Sequence, residues 1–153
     1  WAQTNNAAQY VQTFLKASDS VVVFESDHLR RVLVNLLDNA LRYIGKHADS
    51  LQISTGVATN GQAGLQVWSD GPPLEKTVER HLFEPFFSSE SRSSGLGLYI
   101  CRELCERHGA SIAYQRIPRH TARGLVEGNA FSLVFRPAQT AHAADVPFDT
   151  PLV

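Results

Sequence analysis

Two cysteines in 153 residues leave no disulfide framework to read. Cys101 and Cys105 stand four apart in a helical stretch, a spacing that suits neither a bridge nor a zinc knuckle. Two reduced, partly buried thiols in a cytoplasmic setting are the plainer reading. No apolar run approaches the ~18 residues that a membrane helix needs. Trp1 to Tyr10 is polar and uncharged, so no signal peptide opens the chain. A start at Trp1, without Met, suggests a piece of something longer. Charge of neither sign dominates: 14 Lys and Arg stand against 15 Asp and Glu, and no basic patch argues for nucleic acid. No internal repeat is visible. What is present, 43% hydrophobic residues in a chain of this length, suits one compact domain with a real core.

The richest stretch runs from His28 to Gly45. Leu29, Val32, Leu33, Leu36, Leu37, Ala40, Leu41 and Ile44 recur at three- and four-residue steps and make one broad apolar helix face. Ser26 or Asp27 reads as the start signal and Gly45 as the stop. Asn35 and Asn39, four apart, share one flank of that helix, with Arg42 and Tyr43 within a turn. Two carboxamides, a guanidinium and a phenol could line a polar site beside a core; taken alone they are as well read as ordinary polar positions.

Around this helix the chain alternates strands and turns. Tyr10, Val11, Phe14 and Leu15 form a stripe that predicts a helix in the second half of Trp1 to Ala17. Val21 to Glu25 reads as a strand. Leu51 to Ala58 and Leu65 to Ser69 predict a hairpin about the Asn60-Gly61 turn. Pro72-Pro73 stops ladder pairing after Ser69-Asp70-Gly71. Glu75 to His81 reads as a short helix or turn, followed by an aromatic plug, Leu82-Phe83-Glu84-Pro85-Phe86-Phe87, at the base of a lid from Ser88 to Ser94. Gly95-Leu96-Gly97-Leu98 opens a helix to about His108, stopped by Gly109. Glycines ahead of a helix let backbone N–H groups approach an anion, weak evidence when alone. Ser111 to Arg116 reads as a strand, Pro118 to Asn129 as a polar loop, Ala130 to Arg136 as a return strand, and 138–153 as a flexible C-terminal tail after a domain over 1–137. The fold class is an α/β (α+β) two-layer sandwich: a mixed, mainly antiparallel sheet of four or five strands with about three helices on one face.

Four motifs stand in order: the Asn35–Asn39 helix, Ser69-Asp70-Gly71-Pro72-Pro73, Leu82 to Phe87, and Gly95 to Ile100. As a set they resemble the ATP-binding domain of sensor histidine kinases, in the superfamily that also holds DNA gyrase, the heat-shock chaperone ATPases and MutL. The resemblance runs from about Phe24 to Pro137. The Phe86-to-Gly95 link and the helix from Tyr99 look most like the pilus-regulating (PilS) branch and its nitrogen-sensing relatives. It implies that ATP and Mg2+ are the cofactors and that Asn39 is the metal ligand, a hard carboxamide oxygen. Asn35 and Arg42 would serve the phosphate region, Tyr43 and Phe86 the nucleotide, Ser69, Asp70 and Gly71 the base. Gly95 and Gly97, with the N–H groups of Leu96 and Leu98, would cradle the phosphates. Hydrolytic relatives carry a water-activating Glu at the place of Asn35, and an Asn cannot act as a base, which favours phosphoryl transfer over hydrolysis.

The departures from the family are as specific as the matches. Its adenine box is Asp-x-Gly-x-Gly; here Ser69 holds the Asp place, Asp70 the variable place and Pro73 that of the second Gly. Neighbouring strand residues point to opposite faces, so Asp70 replaces the missing carboxylate only after a shift of one residue. Ser93 stands for the first Gly of the last box. None of His28, His47, His81, His108, His120 or His142 has a context like His-Glu-x-x-Asn-Pro, the family's phosphoacceptor. The resemblance therefore implies the ATP-binding part of a protein-histidine kinase, inactive alone. Its partners would be its own dimerisation domain and a response regulator, without nucleic acid or membrane contact. It would be cytoplasmic, with inner-membrane anchoring of the parent left open. The alternative, carried by Ser69 and Pro72-Pro73, is a degenerate domain of the same fold serving as a protein-interaction module. A hydrolase or anti-sigma relative is a third reading, disfavoured by Asn35 and by the helix from Tyr99 to His108 respectively.

Overall fold

A computed structural model describes residues 1–87 and 95–138. The expected lid, Ser88 to Ser94, and all of the expected tail after Ala138 lie outside the described residues. Among the described residues five strands form one mixed sheet: β1 (Val11–Leu15), β2 (Leu51–Val57), β3 (Ala63–Ser69), β4 (Ser111–Thr121) and β5 (Gly124–Val134), in the order β1-β2-β3-β5-β4. Only the β1–β2 pair is parallel; the others are antiparallel. The helices are α1 (Ser26–Leu41), the short α2 (Lys76–Arg80) and α3 (Gly97–Arg107). The expected two-layer sandwich is the architecture found.

The core lies between α1, α3 and one sheet face. Val32, Leu36, Leu37 and Ala40 of α1 meet Cys101 and Cys105 of α3 over Leu51, Val67, Phe131 and Leu133. Both cysteines are free and buried, and burial pushes their thiols up to about 12 and about 11. The Asn60-Gly61 turn forms, with Gly61 at φ +82°, as does the Gly109 stop at φ +68°.

Four local expectations are corrected. Val11–Leu15 is a strand, not a helix: in parallel register with Leu51–Thr55 it satisfies an edge of β2 that a helix would leave bare. Val21 to Glu25 is no strand but an extended segment with one bridge, Val22 to Pro137; Pro137 has no N–H with which to extend the ladder. The stretch from Pro118 to Asn129 is not a loop, because β4 runs on to Thr121 and β5 starts at Gly124. Pro118 is tolerated since β4 is an edge strand. Finally, α1 is capped by Glu25, whose carboxylate accepts from the N–H groups of Asp27 and His28, and it ends at Leu41. Gly45 is no helix stop; its N–H donates to Asp70 Oδ1 at 2.8 Å.

Candidate functional site

A cavity of about 440 Å³ opens between α1, the start of α3 and the sheet. Its α1 wall is the flank expected from the sequence, with Asn35, Asn39, Arg42 and Tyr43 all lining it. They share that wall because steps of three and four residues bring them to one flank of α1, beside the buried stripe of Val32, Leu36 and Ala40. Asn35 is half-buried and donates through Nδ2 to the Gly97 carbonyl at 3.2 Å, which ties α1 to the first turn of α3. Gly95, Gly97 and Leu98 complete that end. The N-cap residue of α3, Leu96, makes no side-chain cap hydrogen bond among the described residues, and the start of the helix lies at the cavity.

The two glycines differ in why they are glycine. Gly95 sits at φ +70°, and a Cβ there would lie 2.7 Å from the Phe86 carbonyl carbon, so the turn itself requires it. Among the described residues, a Cβ on Gly97 would meet nothing within 4 Å beyond its own helix. Packing does not demand Gly97; close approach of a ligand's phosphates would.

The other end of the cavity is built by the sheet. Val67 and Ser69 of β3 pair with Phe131 and Asn129 of β5, and all four line the floor. Ser69 and Asn129 are buried, 5% and 8% exposed. The Asn129 oxygen accepts from Tyr114 Oη at 2.6 Å and Arg116 Nη1 at 3.0 Å, and its Nδ2 donates to the Pro72 carbonyl at 2.8 Å. Burial raises the pKa of the Tyr114 phenol, keeping it a donor. Arg116 also donates to the Gly71 carbonyl at 2.7 Å, so the Gly71-Pro72 turn is pinned from beneath.

Four expected residues do not line the cavity: Asp70, Gly71, Phe86 and Leu96. Asp70 makes no shift toward the floor. Its carboxylate is taken up by the Gly45 N–H, the Ser50 hydroxyl at 2.7 Å and Arg123 at 2.7 Å. Gly71 packs under Tyr43, where a Cβ would come within 3.3 Å. Phe86, at φ +61°, is 78% exposed, whereas Phe87 lines the cavity; Leu82 and Phe83 do act as the plug, packed on the core. The sequence reading missed Asp38, Phe87 and Asn129. Asp38 lines the α1 wall, with Oδ1 accepting from the Trp1 indole at 2.8 Å. Strict alternation along β5 was the one signal that could have exposed Asn129. None of the described histidines lines the cavity.

A magnesium ion would find a hard oxygen donor in the Asn39 carboxamide, with the Asp38 carboxylate on the same wall. Among the described residues no three His, Cys, Asp or Glu gather to cage a metal. That fits an ion which keeps waters and takes its remaining ligands from phosphates.

A helix layer over a mixed sheet, with the cavity at the start of α3 and a carboxamide pair on its wall, is the arrangement of an ATP-binding sandwich domain. The family model described as histidine kinase-, DNA gyrase B- and HSP90-like ATPase matches residues 24–139, and the chain belongs to that family. The sensor protein kinase PilS of Pseudomonas aeruginosa is 38% identical over 104 residues, 66% of this chain and 20% of PilS. The sensor protein KdpD of Escherichia coli is 37% identical over 116 residues, 72% of this chain and 12% of KdpD. The chain thus spans a fifth or less of these two relatives. The solved structure of the mycobacterial sensor histidine kinase MprB superposes with a TM-score of 0.67 at 22% identity, covering 89% of this chain and 91% of that one, a likeness of fold. The chain is homologous to the catalytic domains of sensor histidine kinases, and the interaction-module alternative is not favoured.

Proposed function

We propose that this chain holds Mg-ATP for a sensor histidine kinase and presents the γ-phosphoryl to a histidine on a separate dimerisation domain. A response regulator would then take the group. The observation that carries this reading is the pairing of Asn35 with the Gly97 carbonyl, which sets the start of α3 against the carboxamide wall of the cavity. In it the base lies over Ser69 and Asn129 against Tyr43, and the phosphates lie at Gly95 to Leu98. Asn39 would hold the magnesium ion through its carboxamide oxygen, and the ion's contribution is to neutralise phosphate charge. Arg42 supplies a fixed positive charge on the same wall. Asn35 positions the Gly97 turn and offers no base, so water is not activated and the phosphoryl group is kept for the acceptor histidine. In the transfer the bond from the γ-phosphorus to the bridging oxygen breaks, a bond to the imidazole nitrogen forms, and ADP leaves.

We assign residues 1–137 to this domain and 138–153 to a C-terminal tail; the pairing of β1 with β2 supports including the N-terminal segment. No described helix is long and apolar enough to cross a membrane. The domain would work on the cytoplasmic side, where ATP is, whether or not the parent is anchored. With no histidine in a phosphoacceptor context, the chain alone would not autophosphorylate.

Calorimetric titration with ADP and a non-hydrolysable ATP analogue, with and without Mg2+, tests the site. Binding in the micromolar range that tightens with Mg2+ is expected. Asn39→Ala and Gly97→Ala should each weaken Mg-nucleotide by about 100-fold, the upper scale for disturbing groups that hold or orient a metal. Gly97→Ala is the cleaner probe, because its new methyl meets nothing within 4 Å among the described residues beyond its own helix. Unchanged affinity in both variants would reject the site map.

A further inference from the structure

The floor of the cavity carries no charge. Of its polar groups, Ser69 offers a hydroxyl and Asn129 a carboxamide, side by side in the β3–β5 register. The nearest carboxylate in sequence, Asp70, does not line the cavity and is occupied by Gly45, Ser50 and Arg123. Two donors, Tyr114 and Arg116, hold the Asn129 oxygen, so the amide orientation is set and its nitrogen faces the Pro72 side. One N–H of Nδ2 goes to Pro72, and the second is left for the cavity. The floor therefore presents one fixed donor and one hydroxyl that donates or accepts by rotating.

Such a pair does not distinguish a 6-amino from a 6-oxo purine. Against adenine, the hydroxyl accepts from the 6-amino group and the amide donates to a ring nitrogen. Against guanine held the same way, the hydroxyl turns to donate to O6 and the amide donates to N7, a ring nitrogen that is an acceptor in both bases. A carboxylate on this floor would accept only, and would repel O6. We infer that the cavity takes guanine as well as adenine nucleotides, the base being read by Ser69 and Asn129. This inference rests on the nucleotide orientation proposed above.

The test titrates the 153-residue chain with ADP, GDP and CDP in the presence of Mg2+. ADP and GDP should bind within about tenfold of each other, and CDP, too small to reach both floor groups, more weakly by at least about tenfold. Ser69→Asp should move the ratio at least about tenfold toward ADP, with folding checked by circular dichroism. Should Ser69→Asp not fold, Ser69→Ala decides with the wild type: it should weaken ADP and GDP alike and leave their ratio unchanged. ADP preferred over GDP by about 100-fold or more in the wild type would overturn the inference and leave the nucleotide site standing. CDP binding as well as the purines would overturn it too, since the base would then not be read at the floor. Failure of all three to bind would overturn both the inference and the nucleotide reading.

Discussion

On β3, Ser69 and Trp68 are neighbours in sequence and belong to different worlds. Ser69, with Asn129 beside it and Asn35 and Asn39 across from it, opens on the cavity. Trp68 is fully buried behind the sheet, its indole donating to the Ile117 carbonyl at 2.9 Å. The rest of that rear face is as polar as the front, but its groups bond one another. Gln52, 1% exposed, accepts from Arg119 Nε at 2.8 Å and donates to the His120 carbonyl at 3.1 Å. Arg119 goes on to Gln66 at 3.1 Å, Gln66 to Ser132 at 3.0 Å, and the guanidinium lies over the Phe14 ring. A second hollow of about 440 Å³ lies there over Phe14, Ser54, Gln66 and Arg119, yet the polar groups of Ser54, Gln66 and Arg119 are already spoken for. Polarity alone does not mark a site. Polar groups that face space and hold capacity in reserve do, whereas a closed network is architecture.

If the rear face is architecture, damage to it should cost stability and spare affinity. The largest effect is expected at Gly128, where a Cβ would overlap the Trp68 indole and the Ser69 carbonyl oxygen. Gly128→Ala should lose about 3 kcal/mol or more, the upper range for overpacking, read as a fall in the urea midpoint. A normal midpoint would mean that β5 can move off Trp68, and the two faces would not be as rigidly separated as drawn. Next comes Arg119→Ala, which strips the Gln52 oxygen of its donor in a buried place. It should cost about 1–3 kcal/mol, with ADP affinity unchanged. Asn39→Ala should do the reverse, leaving the midpoint within about 0.5 kcal/mol while affinity collapses. Matching losses of both quantities in both variants would dissolve the distinction between the faces.

The same contrast explains what could be read from the sequence. Asn35, Asn39 and the apolar steps of α1 were legible because a helix brings residues four apart together, and so were the Asn60-Gly61 and Gly109 turns, which are local chemistry. Ser69 over Asp70 followed from strand parity. Asn129 was not legible, since its place beside Ser69 comes from a pairing across sixty residues of chain. Val11–Leu15 failed for the same reason. Its stripe fits a helix as well as a strand, and the choice is made by β2, whose register partner for Val11 is Leu51. Pro118 was misleading because a proline breaks only a strand that needs its N–H, and the outer edge of β4 does not. The Phe86 and Phe87 pair turned on a positive φ that no composition rule foretells in a phenylalanine.

The smallest expected effect belongs to a polar group on neither face. Glu25 caps α1 at the exposed surface, and hydrogen bonds from the backbone N–H groups of His28 and Asp27 lower its carboxyl pKa below the ordinary 4.5. The folded state thus releases this proton more readily than the unfolded chain does. Its contribution is complete above about pH 4.5 and is lost as pH falls through the lowered folded value. Glu25→Gln keeps an oxygen acceptor and removes the charge. Thermal melts from pH 7 down to pH 3 should show the wild type slightly more stable at neutral pH, with the two curves converging on the acid side. A gap that stays constant with pH would assign the cap to geometry alone. Like the rear network, Glu25 is satisfied within the fold; unlike it, water stands ready to replace every bond it makes, and that is why its removal should be felt least.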